Sequence, residues 1–232
     1  MQQLFDEDCD IRIEFSEVML AWKEESPNLF KRILWSDEAV FHVGGFVNRH
    51  NCHWWSAEKP GTSFCLEKIQ TRPKLTVWCG FTANRFIGPF ILNATMNAER
   101  YLNMLETFVW PEVSGWNGIN NIIFMQDGAP PHYANVVRAW LNTRFPQKWI
   151  GQGGPHHWPA RSPDLKPCDF FCGDGQKKEF TEENRRRKSW KIPLEMFLVN
   201  GNVPQNFIQK SVQSVSKRLR KCVNNTGAYV EA

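Results

Sequence analysis

The chain has 232 residues, 42% of them hydrophobic, which is enough for one domain with a substantial core. Eleven Trp and seventeen Phe exclude a disordered chain, and no segment approaches the roughly 18 apolar residues of a membrane span. A net charge of +4 and a pI near 8.7 permit a nucleic-acid partner without requiring one.

Seven cysteines, an odd number, stand without a paired CxxC framework, so reduced thiols in an intracellular protein are expected. The N-terminal "MQQLFDEDCD" is acidic and polar, unlike a signal peptide. The expected location is nuclear or cytoplasmic.

In chain order, Ile11, Phe15, Val18, Met19 and Trp22 recur at helical spacing and predict an amphipathic helix over 10–24. "KRILWSDEAVFHV" reads as a strand, Gly44-Gly45 as a turn and "FVNRHNCHWW" as the returning strand. "KLTVWCGFT" (74–82) and "RFIGPFIL" (85–92) read as a hairpin. Tyr101, Leu102, Leu105 and Phe108 share a helical face, with Asn97 as N-cap and Pro111 as the stop. "NIIFMQD" is a short apolar strand, and "YANVVRAWLNTRF" a helix that places Val136, Val137, Trp140 and Leu141 together. "GQGGPHHWPARSPDLKP" is a long Gly/Pro loop, of a kind that is usually functional or mobile. Periodicity is weak over 173–206, where "ENRRRKSWK" is a charge cluster. Ile208, Val212, Val215 and Leu219 then predict an amphipathic helix over 205–223, with Lys210, Lys217, Arg218 and Arg220 on its basic outer surface. The order predicts a mixed sheet with helices packed on it.

Two of the predicted strands run into a carboxylate: "RILWSD" reaches Asp37 and "IIFMQD" reaches Asp127. Acids at strand ends are common caps, but ligands also gather outside the carboxyl ends of strands in such sheets. A third acid after the long loop comes from "ARSPDLKPCDFF", which offers Asp164 and Asp169. Pro167 suits the first turn of a helix and would place Asp169 about one turn in. Three carboxylates on rigid elements can hold two Mg²⁺ ions, whose hard character suits oxygen ligands and substrate phosphates.

The segments "WSDEAVFHVGGFVNRHNCHWWS", "GPFIL", "FMQDGAPPHYANVVRAWL" and "WPARSPDLKPCDFF" resemble the catalytic domain of Tc1/mariner-type transposases, over about residues 5–171. The resemblance implies a ribonuclease H-like fold, an α/β mixed sheet flanked by helices, and DDE/DDD chemistry with two Mg²⁺ or Mn²⁺ ions. It implies that Asp37, Asp127 and Asp169 are the catalytic and metal-binding residues. Asp37 and Asp127 would share one ion, and Asp169 would hold the second. Asp127 lies 90 residues after Asp37, and Asp169 a further 42. The latter interval exceeds the family's commonest one, and the "GQGGPHHW" region accounts for the excess.

The implied activity is DNA phosphodiester cleavage and strand transfer, with DNA held mainly through phosphate contacts and with room for a homodimer. Residues 1–180 would form the catalytic domain. Residues 181–232 would form an irregular basic segment and a C-terminal helix packed on the same domain. Two departures from the family suggest an N-terminally truncated, impaired copy. The paired helix-turn-helix modules have no counterpart, and Gly173 and Gly175 interrupt the helix after the third acid, at roughly 1 kcal/mol each. The alternative is a non-catalytic nucleic-acid-binding or interaction protein derived from a transposase remnant.

Several groups read more simply as structural. His132, Tyr133 and Arg138 are expected to stabilise local structure, and Glu38 to face away from Asp37 across the strand. Cys168 and Cys172 sit four apart, as one edge of a zinc site would, but no second Cys/His pair of proper spacing follows, and His50, Cys52 and His53 alternate as a strand would and form no facial cluster. Arg185–Lys188 could be a solvated face or a phosphate contact. Trp158 is a candidate for stacking on an unpaired base.

Overall fold

The computed structural model describes residues 3–42, 74–92, 94–170 and 203–230. The expected turn at Gly44-Gly45, the strand after it, the His50–His53 group, Cys172, Gly173, Gly175 and Arg185–Lys188 lie outside the described residues.

Five strands form one mixed sheet in the order β3-β2-β1-β4-β5. They are β1 (Ile33–His42), β2 (Lys74–Phe81), β3 (Phe86–Leu92), β4 (Ile123–Met125) and β5 (Trp149–Ile150). The first three pair antiparallel, whereas β1, β4 and β5 are mutually parallel. Successive residues alternate between the two faces, as strand geometry requires. Ile33, Trp35, Val77, Cys79, Ile123, Met125 and Ile150 enter one core, while Leu34, Trp78, Phe124 and Trp149 enter the other.

The first core is covered by α1 (Asp6–Glu25) and a 20-residue C-terminal helix, which pack on each other. The second is covered by α3 (Ala98–Met104) and α6 (Asn135–Arg144), with α4 (Trp110–Ser114) continuing from α3. The C-terminal helix Gln205–Asn224 is α8; α2 (Leu29–Arg32) and α7 (Pro167–Phe170) both pack against it, and α5 (Pro130–Tyr133) follows β4. Helices on both faces of a mixed sheet give the expected α/β architecture.

Several details depart from the expectation. Pro111 does not stop its helix. A π turn over Leu105–Val109 precedes it, and the Trp110 amide donates to the Leu105 carbonyl, five residues back. This wider turn carries the helix past a residue that has no N–H and crowds the preceding turn. Val136 is exposed, so α6 turns Val137, Trp140 and Leu141 inward without it.

On α1, Ile11 and Val18 face solvent, and the buried stripe is Asp8, Arg12, Phe15, Ser16 and Met19. The polar members of that stripe have partners far along the chain. Arg12 donates to both oxygens of Asp164 at 2.8 and 2.7 Å, to Ser162 Oγ at 2.8 Å and to the Gly227 carbonyl at 2.7 Å. Arg218, expected on the outer surface of α8, is also buried and donates to the Asp164 carbonyl at 2.9 Å. Lys210, Lys217 and Arg220 are exposed as expected.

The Gly/Pro loop is fixed by packing instead of being structureless. Gly151 donates to the His156 carbonyl, His156 stacks on Trp22 with ring centres 4.5 Å apart, and Pro163–Leu165 forms a 3₁₀ turn. Trp158 is buried edge-on against Phe15 at 5.1 Å, so it is a core residue and not a base-stacking platform.

Candidate active site

Asp37 is the fifth residue of β1, inside the strand and not at its end. What ends near it is the parallel pairing to β4, whose last matched pair is Trp35 with Met125. Ser36 Oγ donates to the Met125 carbonyl at 2.7 Å, just beyond that pair. Past this point β4 no longer pairs with β1, although the Gln126 amide still donates to the Ile150 carbonyl of β5 at 3.0 Å. Asp37 points from one face of the sheet towards Lys166. Glu38 faces the other, as strand alternation dictates.

Asp127 follows β4 by two residues. Its Oδ1 accepts the Ala129 amide at 3.0 Å and meets His132 Nδ1 at 2.7 Å. The first contact is the local turn bond that Asp forms readily. Asp169 lies in the first turn of α7, two residues after Pro167, and its amide donates to the Lys166 carbonyl at 2.9 Å.

The three carboxylates converge on one atom, Lys166 Nζ. Asp37 Oδ1 lies 2.9 Å from it, and Asp127 Oδ2 and Asp169 Oδ2 each lie 3.4 Å from it. The Lys166 side chain is only 4% exposed. The structure thus brings together all three acids that the sequence singled out. Asp164 stays apart, bound by Arg12 and by the Val230 amide at 2.9 Å.

A second cation adjoins the cluster. His132 bridges the two faces of the sheet, with Nδ1 on Asp127 and Nε2 3.2 Å from Glu38 Oε1. Tyr101 packs its ring on the imidazole at 4.2 Å and donates its hydroxyl to Gln126 Oε1 at 3.1 Å. Gln126 Nε2 in turn donates to the His132 carbonyl at 2.9 Å, closing a buried network across α3, β4 and α5.

Burial opposes the charge on His132, but Glu38 and Asp127 outweigh it and push its pKa up to about 10. The imidazolium then donates from both nitrogens, one to each carboxylate. Burial also opposes ionisation of Asp127, yet Lys166, His132 and the Ala129 amide hold this carboxyl well below the usual range. Asp37 and Asp169 shift the other way, because burial and the neighbouring carboxylates exceed the pull of Lys166.

Three carboxylates from separate elements, turned towards one positive centre, make a donor set that suits a hard divalent cation. With the ammonium between them, no three acid, imidazole or thiol side chains among the described residues are gathered to ligate an ion. Sequence reasoning missed Lys166, which stands at an unconstrained position of "SPDLKPCD". The one available signal was its place between Leu165 and Pro167, where a charge must find partners if the segment is buried. It read His132 as a local turn stabiliser, which agrees with its bond to Asp127 five residues back, but it missed the second partner, Glu38, 94 residues away.

No family model matches the chain. A curated relative, the transposase of the Caenorhabditis elegans transposable element Tc3, is 23% identical over 216 residues, 93% of this chain. The chain spans 61% of that relative's length. A solved structure of the Mos1 transposase catalytic domain with raltegravir and Mg superposes with a TM-score of 0.67 at 21% identity, covering 98% of this chain and 99% of that one. The Mos1 transposase paired-end complex with the left transposon end gives 0.65 at 23% identity, covering 99% of this chain and 65% of that one. No helix of the described residues is long and apolar enough to cross a membrane. The ordered motifs, the transposase relative and the ribonuclease H-like fold agree, and the resemblance of this chain is to the catalytic domain of the Tc1/mariner-type transposases.

Proposed function

We propose that this chain is a transposase-derived endonuclease domain that cleaves DNA phosphodiesters, with Asp37, Asp127 and Asp169 as its catalytic and metal-binding residues. The observation that carries this reading is the convergence of the three carboxylates, from β1, the β4–α5 turn and α7, on a single cationic point. Two Mg²⁺ or Mn²⁺ ions, when bound, would activate the attacking water or 3′-hydroxyl and stabilise the leaving oxygen. Asp37 and Asp127 would hold the shared ion, and Asp169 the second.

The chain's own residues supply placement. The Ala129 amide and His132 both engage Asp127 Oδ1, which leaves Oδ2 directed at the centre of the cluster. Outer-shell partners of this kind fix a carboxylate's orientation. Pro167 starts the short helix that fixes Asp169, and rigid elements place ligands more accurately than loops do.

DNA would be held chiefly by its phosphates, and a homodimer would suit the pairing of two DNA ends, as in the Mos1 paired-end complexes. Affinity for random duplex should therefore fall steeply with salt and differ little between sequences, as fluorescence anisotropy across a salt series would show. Nicking of a supercoiled plasmid tests the activity. It should require Mn²⁺ or Mg²⁺ and stop with a chelator, whereas nicking that survives chelation would contradict the assignment.

The presence of an ammonium inside the acid cluster favours the second reading, a binding protein without cleavage activity. That reading expects the same salt-dependent DNA binding and no metal-dependent nicking.

A further inference from the structure

The geometry points to Lys166 as a built-in cation that occupies the acid cluster and competes with divalent metal for it. This inference rests on the reading of Asp37, Asp127 and Asp169 as metal ligands, and it assigns to Lys166 control over whether those ligands are available.

Each of the three carboxylates has one oxygen turned to Lys166 Nζ, at 2.9, 3.4 and 3.4 Å. The side chain is 4% exposed, so this is an enclosed contact and not a surface ion pair. A Mg²⁺ ion needs oxygen ligands at about 2.0–2.1 Å. It would have to take the oxygens that the ammonium holds, and the two cations would repel each other at close range in a poorly screened site.

Lys166 follows a 3₁₀ turn and precedes Pro167, so its backbone is fixed on the same short segment as Asp169. Its head, by contrast, rides on a flexible four-carbon stem. Metal entry is then an exchange. The ammonium must withdraw from three carboxylates before an ion can bind them, and the cost of that withdrawal weakens the apparent metal affinity. Glu38 does not offer a substitute position, because it already pairs with His132, whose other nitrogen holds Asp127.

The experiment measures Mn²⁺ binding to the full chain by the loss of the free-ion electron paramagnetic resonance signal. Lys166→Met keeps the stem's volume and removes the charge, and it should bind Mn²⁺ at least tenfold more tightly than the unmodified chain. Asp127→Asn in the same background should reverse that gain. If Lys166→Met and the unmodified chain bind Mn²⁺ equally, and Asp127→Asn weakens both, the site binds metal but Lys166 does not compete, and the inference fails alone. If none binds Mn²⁺ and Asp127→Asn changes nothing, the reading of the acids as ligands fails, and this inference with it.

A second measurement needs no variant. Acylation of Lys166 by an amine-reactive reagent, followed by mass spectrometry, should be slow without metal and several-fold faster with saturating Mn²⁺. Mn²⁺ binding that leaves the labelling rate unchanged would overturn the exchange.

Discussion

Asp164→Asn is expected to lower the stability of the protein by about 3–5 kcal/mol, the usual cost of breaking a buried ion pair from one side. Asp164 and Arg12 are both fully buried at the side chain, and the guanidinium meets both carboxylate oxygens. Asn would leave a buried positive charge without its counter-charge. The same aspartate ties the C-terminal strand of contacts together, through the Val230 amide on its carboxylate and Arg218 on its carbonyl. The Arg218 bond to the main-chain carbonyl should survive, so the loss should loosen α1 and the C-terminal segment around Val230 against the 3₁₀ turn. Urea unfolding monitored by tryptophan fluorescence measures it as a fall in midpoint. A shift worth less than about 1 kcal/mol would mean that the pair is replaceable and that packing alone holds these elements.

The opposite pattern is expected at Asp169. Asp169→Asn should reduce metal-dependent nicking by more than the roughly 10–100-fold that loss of an outer-shell partner costs. Its effect on stability should be smaller than that of Asp164→Asn, since its side chain is 30% exposed and its ion pair to Lys166 is long. Plasmid nicking per folded molecule, compared between the two variants, separates the roles of the two aspartates. If Asp164→Asn abolishes nicking with the fold intact while Asp169→Asn spares it, the third acid has been misassigned.

The sheet was largely legible because strand alternation needs only neighbours. The odd residues of β1 and the apolar run of β4 announce their faces without reference to anything distant. The acids were legible for a related reason. A carboxylate interrupting an apolar run is conspicuous, and the ordered motifs around it restricted the choice. Asp37 nevertheless sits within its strand, because the feature that matters is where β4 stops pairing, and that depends on a segment 90 residues away.

The residues misread in the sequence share one property: their partners are remote. Arg218 looked like part of a basic surface, yet it donates to the Asp164 carbonyl 54 residues away, and Arg12, which no pattern singled out, meets the same residue across 152. Trp158 looked exposed because its surroundings are Gly and Pro, yet Phe15 on α1 covers it. Lys166 belongs to this group in a different way. Asp169 is near it in sequence, but its other two partners, Asp37 and Asp127, reach it only once β1 and the turn after β4 are assembled beside α7.

Anomalous diffraction from crystals of the Lys166→Met variant soaked in Mn²⁺ tests the central claim most directly, since it locates the ion without requiring turnover. The account predicts an anomalous peak within bonding distance of Asp37 and Asp127, with Asp169 adjacent and Asp164 still on Arg12. An intact cluster with no peak at saturating Mn²⁺, or a peak bound by other residues, would contradict it.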